Sequence, residues 1–137
     1  MRTIKARPVI GKGMGIVSGR ALVTTEPICF LGGIDVKTGK VTEQGHPLYG
    51  QCIKDTMLVF PTGKGSTGGS YLIYDTVCNG NGPKCILNLN VEQVTAVGCI
   101  MGEVPLVDKP EEDITAIIHT GDFVSVDLDT GTITYGE

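Results

Sequence analysis

With 137 residues, 41% hydrophobic and 19% charged, the chain has the size of one domain, spanning 1–137, with one core. Eleven basic against fifteen acidic residues leave a net charge of −4 with the charges scattered, so no basic stripe exists that would bind a nucleic-acid backbone. No apolar run approaches the roughly 18–20 residues that span a bilayer, and Met1-Arg2-Thr3-Ile4-Lys5 lacks the apolar core of a secretory signal, which predicts a cytoplasmic protein that does not enter membranes.

In chain order, Ile4 to Ile10 and Ile16 to Thr25 are β-favouring stretches separated by Gly11-Lys12-Gly13-Met14-Gly15, which predicts a hairpin-like pair. Ile28-Cys29-Phe30-Leu31, closed by Gly32-Gly33, predicts a short strand. Asp35 to Lys40 and Gly45 to Gly50 are polar turns. Met57-Leu58-Val59-Phe60, ended by Pro61, has the continuous apolar character of a strand buried on both faces. A glycine-rich loop follows, and from Thr67 the spacing of Tyr71, Tyr74 and Cys78 predicts a helix that stops at Asn79-Gly80-Asn81-Gly82-Pro83.

Lys84 to Leu89 reads as the next strand, so the helix before it completes a βαβ unit. Glu92 to Met101 predicts a second helix against the β-branched bias of Val91, Val94, Thr95 and Val97. Val104 to Val107 is a short strand and Glu111 to Ile118 one or two helical turns. Phe123 to Leu128 alternates, turns at Asp129-Thr130-Gly131 and returns through Thr132 to Tyr135, the pattern of a β-hairpin. The fold class is α/β in β/β/α layers, with a barrel-like sheet from both termini around a central βαβ unit.

The stretch Pro61-Thr62-Gly63-Lys64-Gly65-Ser66-Thr67-Gly68-Gly69-Ser70 carries the chemical signal. Glycines let backbone N–H groups converge, a helix follows, and Lys64, Ser66 and Thr67 add donors, so an anion is favoured at Gly63, Lys64, Gly65 and Thr67. The Walker pattern fails, because Leu58 stands where its first glycine belongs and Gly65 where its hydroxyl residue belongs. Gly63 to Gly68 does satisfy G-x-G-x-x-G, but the positions about 20 residues on hold Asn88 and Asn90 rather than an acid. His46, ahead of Pro47, is either a solvated loop residue or a group that positions a partner, and His119 reads as a turn residue. Cys29, Cys52, Cys78, Cys85 and Cys99 are odd in number and lack a C-x-x-C pair, which argues against disulfides and against a complete metal site in this chain. Cys29, Cys85 and Cys99 sit in apolar stretches as small buried hydrophobes.

Phe30-Leu31-Gly32-Gly33-Ile34-Asp35, Thr38-Gly39, His46-Pro47-Leu48-Tyr49-Gly50, Gly63-Lys64-Gly65-Ser66-Thr67, Ser70-Tyr71 and Gly121-Asp122 together resemble the small subunit of aconitase-X enzymes. The similarity runs in order from about Gly19 to Ile133. It implies a swivelling domain like the mobile domain of aconitase, paired in a heterodimer or larger assembly with a large subunit that holds an iron–sulfur cluster. It implies dehydration of a small hydroxy acid, with Ser66 as proton acceptor. The Lys64 form resembles subunits that act on mevalonate 5-phosphate in the archaeal mevalonate route. The cis-3-hydroxy-L-proline enzymes of the family more often carry arginine there, and Gly68 departs from the valine common in archaeal sequences. Against these stand a non-enzymatic anion-binding or scaffold domain and a nucleotide-binding domain.

Overall fold

β1 (Arg2–Lys5), β2 (Arg7–Ile10) and β3 (Ile16–Val23) are followed by an irregular turn, α1 (Phe30–Gly33), then β4 (Met57–Val59), α2 (Gly69–Cys78) and β5 (Cys85–Leu87). α3 (Gln93–Gly102), β6 (Leu106–Asp108), the single turn α4 (Ile114–Ile117), β7 (Phe123–Asp127) and β8 (Thr132–Gly136) complete the chain. These come from a computed structural model that describes residues 1–64 and 68–136. The strands form one sheet in the order β1-β8-β7-β3-β4-β5-β6-β2. β1 and β2 lie at opposite edges of that order, yet only Ala6 separates them in sequence, so the sheet curls until its edges nearly meet. The Ala6 N–H donates to the Gly131 carbonyl at 2.8 Å, which ties this junction to the turn of the C-terminal hairpin.

The four strands β3, β4, β5 and β6 run parallel, and the other pairings are antiparallel. α2 crosses from β4 to β5 and α3 from β5 to β6, so the βαβ unit expected from the sequence is present and is followed by a second. Every residue of β4 and β5 is buried, because these strands have the barrel interior on one face and helices on the other. Met57, Val59, Cys85, Leu87 and Val107 point inward to meet Val124, Val126 and Ile133. Leu58, Ile86 and Leu106 alternate to the opposite face and meet Phe60, Ile73 and Cys99. Each such fully buried aliphatic side chain stabilises the fold by about 1.5–3 kcal/mol. The helices pack closely because Gly98 of α3 has no side chain: a Cβ there would stand 2.6 Å from Cδ1 and 2.9 Å from Cβ of Ile73.

Two expectations fail for the same reason. β2 and β3 are not a hairpin: β2 pairs with β6, and β3 with β4 and β7. Arg7 grips the buried Asp108 of β6 through Nε–Oδ1 at 2.8 Å and Nη2–Oδ2 at 2.9 Å, and Gly11, Gly13 and Gly15 at positive φ let the chain pass from the edge position of β2 to the interior position of β3. The segment Ile28 to Leu31 is not a strand either. β4 already has β3 and β5 as neighbours, so Ile28 makes only a lone parallel bridge to Gly63 before the chain turns at Gly32, φ +82°. The C-terminal hairpin forms as expected, with Gly131 at φ +80°.

Candidate functional site

The carboxyl ends of β4 and β5 are clamped together before the glycine-rich loop begins. Phe60 N–H donates to the Leu87 carbonyl, and Leu89 and Asn90 N–H groups both donate to the Pro61 carbonyl. The buried Asn88 adds a side-chain bond, Nδ2 to the Phe60 carbonyl at 2.9 Å, while its Oδ1 has no hydrogen-bond partner among the described residues. Beyond this clamp Thr62 to Lys64 runs beside Ile28: the Ile28 N–H donates to the Thr62 carbonyl at 3.3 Å and the Lys64 N–H to the Ile28 carbonyl at 2.9 Å.

Gly63 is pressed against the first turn of α3. Glu92 caps that turn, with Oε2 accepting from the Val94 N–H and Oε1 from the Thr95 N–H, both at 2.7 Å, and from the Thr95 hydroxyl. A Cβ on Gly63 would collide with this carboxylate and with the Thr95 hydroxyl oxygen. The start of α2 is tied to the same place by Ser70, whose hydroxyl donates to the Val94 carbonyl at 2.7 Å. A Cβ on Gly69 would reach within 3.1 Å of Val94 Cγ1, so glycine lets the two helix starts approach.

The Lys64 side chain extends to Glu43, with Nζ 2.9 Å from Oε2; the two side chains are 46% and 31% exposed. That hydrogen bond is the main cause that raises the Lys64 pKa above the ordinary lysine value. Burial opposes it, and the charges of Glu43, Cys29 and Glu26 add to it. Glu43 belongs to the segment 40–50, which His46 organises. His46 is 7% exposed, its Nε2–H donates to the Pro27 carbonyl at 3.0 Å, and its Nδ1 accepts from the Leu48 N–H at 3.1 Å. His46 is therefore an internal brace rather than a solvated loop residue. His119 is the expected turn residue, exposed, with its N–H donating to Asp122 Oδ2 at 2.9 Å.

The structure thus brings Gly63 and Lys64 to the edge formed by the carboxyl ends of the parallel strands, where ligands of α/β sheets gather. Gly65, Ser66 and Thr67 lie outside the described residues. One part of the expected anion cradle needs correction: the Lys64 N–H is spent on Ile28, so Lys64 can offer an anion its ammonium only. Sequence reading missed Glu43, which has no local pattern. It also missed Glu92, whose placement just before a helix was the available signal, and it weighed Asn88 only as a missing acid.

Cys85 and Cys99 are buried, and burial pushes both thiols up, Cys99 to about 12. Cys29 departs from the buried reading: it is half-buried, with its thiol against the Leu31 carbonyl at 3.0 Å, while Cys52 and Cys78 are exposed. Among the described residues no three His, Cys, Asp or Glu side chains converge as a metal site, and no helix is long and apolar enough to cross a membrane.

Comparison with known proteins finds likeness over nearly the full chain. The family model described as Aconitase X swivel domain matches residues 3–135. A phosphomevalonate dehydratase small subunit of Methanothermobacter thermautotrophicus is 45% identical over 127 residues, 93% of this chain and 95% of that protein. One from Methanocella arvoryzae is 45% identical over 95% of this chain and 96% of its own length. The crystal structure of Thermococcus kodakaraensis aconitase X in its holo form superposes with a TM-score of 0.92 at 38% identity, covering 100% of both chains.

Proposed function

Because the chain belongs to the aconitase X swivel domain family, we propose that it is the small subunit of a hydro-lyase that dehydrates (R)-5-phosphomevalonate, active together with a large subunit. The observation that carries this reading is the end-to-end likeness, near 45% identity, to small subunits named for that reaction. A free-standing nucleotide domain has no comparable support. The loop after β4 adds none either, since its G-x-G-x-x-G lacks the acid that a dinucleotide site needs.

The reaction removes a carbon-bound proton and a hydroxyl group as water. Ser66 takes the proton, and its alkoxide needs nearby positive charge, for which Lys64 is the cation at hand. Lys64 itself is no proton acceptor, since the carboxylate of Glu43 stabilises its protonated form. Gly63, Gly65 and Thr67 complete the loop that meets the substrate. An iron–sulfur cluster does not fit the described residues of this chain: its buried thiols have raised pKa values and no ligand set converges. The cluster is assigned to the large subunit, where it would act as Lewis acid, and this chain supplies the base.

The test is steady-state dehydration by the reconstituted two-subunit enzyme, with mevalonate 5-phosphate and cis-3-hydroxy-L-proline offered in parallel. Turnover of the first and not the second is expected. Turnover of the hydroxyproline alone would move the substrate assignment, and turnover of neither would remove the dehydratase reading.

A further inference from the structure

Lys64 and Glu43 come from loops 21 residues apart, and both are mounted on backbone that is itself pinned. Lys64 is held by its N–H bond to the Ile28 carbonyl, next to the Ile28–Gly63 bridge. The Glu43 loop is held on the other side: the Thr42 N–H donates to the Gly33 carbonyl, the His46 N–H to the Glu43 carbonyl, and the His46 ring anchors the Pro27 carbonyl two residues before Cys29. Gly33 lies beside the carboxylate, since a Cβ there would stand in ordinary van der Waals contact with Glu43 Oε1, at 3.6 Å. An exposed lysine–glutamate pair contributes little to stability. Its physical effect is on where the ammonium sits and on whether it keeps its proton.

We propose that Glu43 is a positioning residue: it anchors the Lys64 side chain beside the glycine-rich loop, so that Lys64 enters the reaction as a fixed cation. Among the described residues, Glu43, Cys29 and Glu26 favour the charged form of that ammonium, while desolvation opposes it. A flexible lysine would spread its charge over many positions, and a carboxylate 2.9 Å away selects one of them. The kinetic consequence rests on the dehydratase reading above; the chemical state of Lys64 does not.

Two measurements test this separately. The first is pulse acetylation with acetic anhydride at pH 8, read by peptide mass spectrometry on the full chain. Glu43→Gln, which is isosteric, removes the carboxylate that raises the Lys64 pKa and should speed modification of Lys64 by about threefold or more, with the other lysines unchanged. An unchanged rate at Lys64 overturns the proposal whether or not the enzyme is a dehydratase. The second is a double-mutant cycle in the two-subunit enzyme. Glu43→Gln should lower kcat about tenfold with little change in KM or melting temperature, Glu43→Asp should restore part of the loss, and Glu43→Gln should have no further effect once Lys64 is Met. Additive losses would mean that Glu43 does not act through Lys64. A two-subunit enzyme without dehydratase activity would count against the parent reading alone, leaving the acetylation result to decide the pairing.

Discussion

α2 and α3 both begin just past the carboxyl end of a parallel strand, but their first turns are finished differently. α3 is closed by its own chain, with both Glu92 oxygens on the N–H groups of Val94 and Thr95. α2 begins after Gly68, which has no side chain to offer as a cap, and it is preceded by the loop that carries Lys64 and Ser66. A helix start whose donors are satisfied by a buried-side carboxylate is a structural part. One that begins after a glycine gives up the stabilisation of a side-chain cap from that position. The difference marks the start of α3 as a supporting element and leaves the start of α2 beside the loop proposed to react.

The strongest way to break that contrast is to alter each helix start and ask what is lost. Ser66→Ala should lower kcat of the two-subunit enzyme by about 10²–10⁴-fold, with substrate affinity and melting temperature nearly unchanged. Solvent-deuterium exchange at the substrate carbon reads the lost step directly, and near-normal exchange would sink Ser66 as the base. Gly63→Ala should hurt both sides, because its Cβ meets Glu92 and Thr95. A cost of about 1–3 kcal/mol is expected in urea unfolding, with lower activity, and the cost should shrink in a Glu92→Ala background if the collision is the cause.

Glu92→Ala alone should remove about 1–2 kcal/mol of stability, the usual loss for a helix cap, and lower the melting temperature by several degrees. Its effect on kcat should be much smaller than that of Ser66→Ala. A large kcat loss at full stability would erase the distinction between the two helices.

The smallest effects follow the same division along the helices, since Cys78 ends α2 in solvent and Cys99 sits buried in α3. A thiol reagent at pH 8 should modify Cys29, Cys52 and Cys78 and spare Cys85 and Cys99 until the chain unfolds. Burial raises the Cys99 pKa to about 12, so above about pH 9 the unfolded chain holds fewer protons than the folded one. The stability from this thiol is therefore complete below about pH 9 and lost toward pH 12, at roughly 1.4 kcal/mol per pH unit per buried thiol. A flat stability curve between pH 9 and 11 would contradict the burial of these cysteines.

The parts of the fold legible in the sequence are those whose cause is local. Phe123 to Tyr135 shows its alternation and its turn within thirteen residues, and Met57 to Phe60 announces burial on both faces by apolar continuity. The divergence of β2 from β3 was not legible, because what draws β2 away is Asp108, 101 residues downstream of Arg7. Alternation tells which face is buried but not which strand lies beside it. Within the candidate site, Gly63 and Lys64 stood out by glycine density. The role of Ser66 came from family resemblance, and Glu43 became visible only when folding placed it at Lys64.

The single residue Ala6 between the two edge strands also has a consequence for how the molecule is made. β1 pairs with β8 from Arg2↔Tyr135 to Lys5↔Thr132, so this pairing joins two segments that lie far apart in the sequence. Closing a loop of nearly the whole chain costs entropy before any contact offsets it, and topologies of this kind fold slowly. Until β8 docks, β1 is an unpaired strand and Ile4 lacks the barrel interior that buries it.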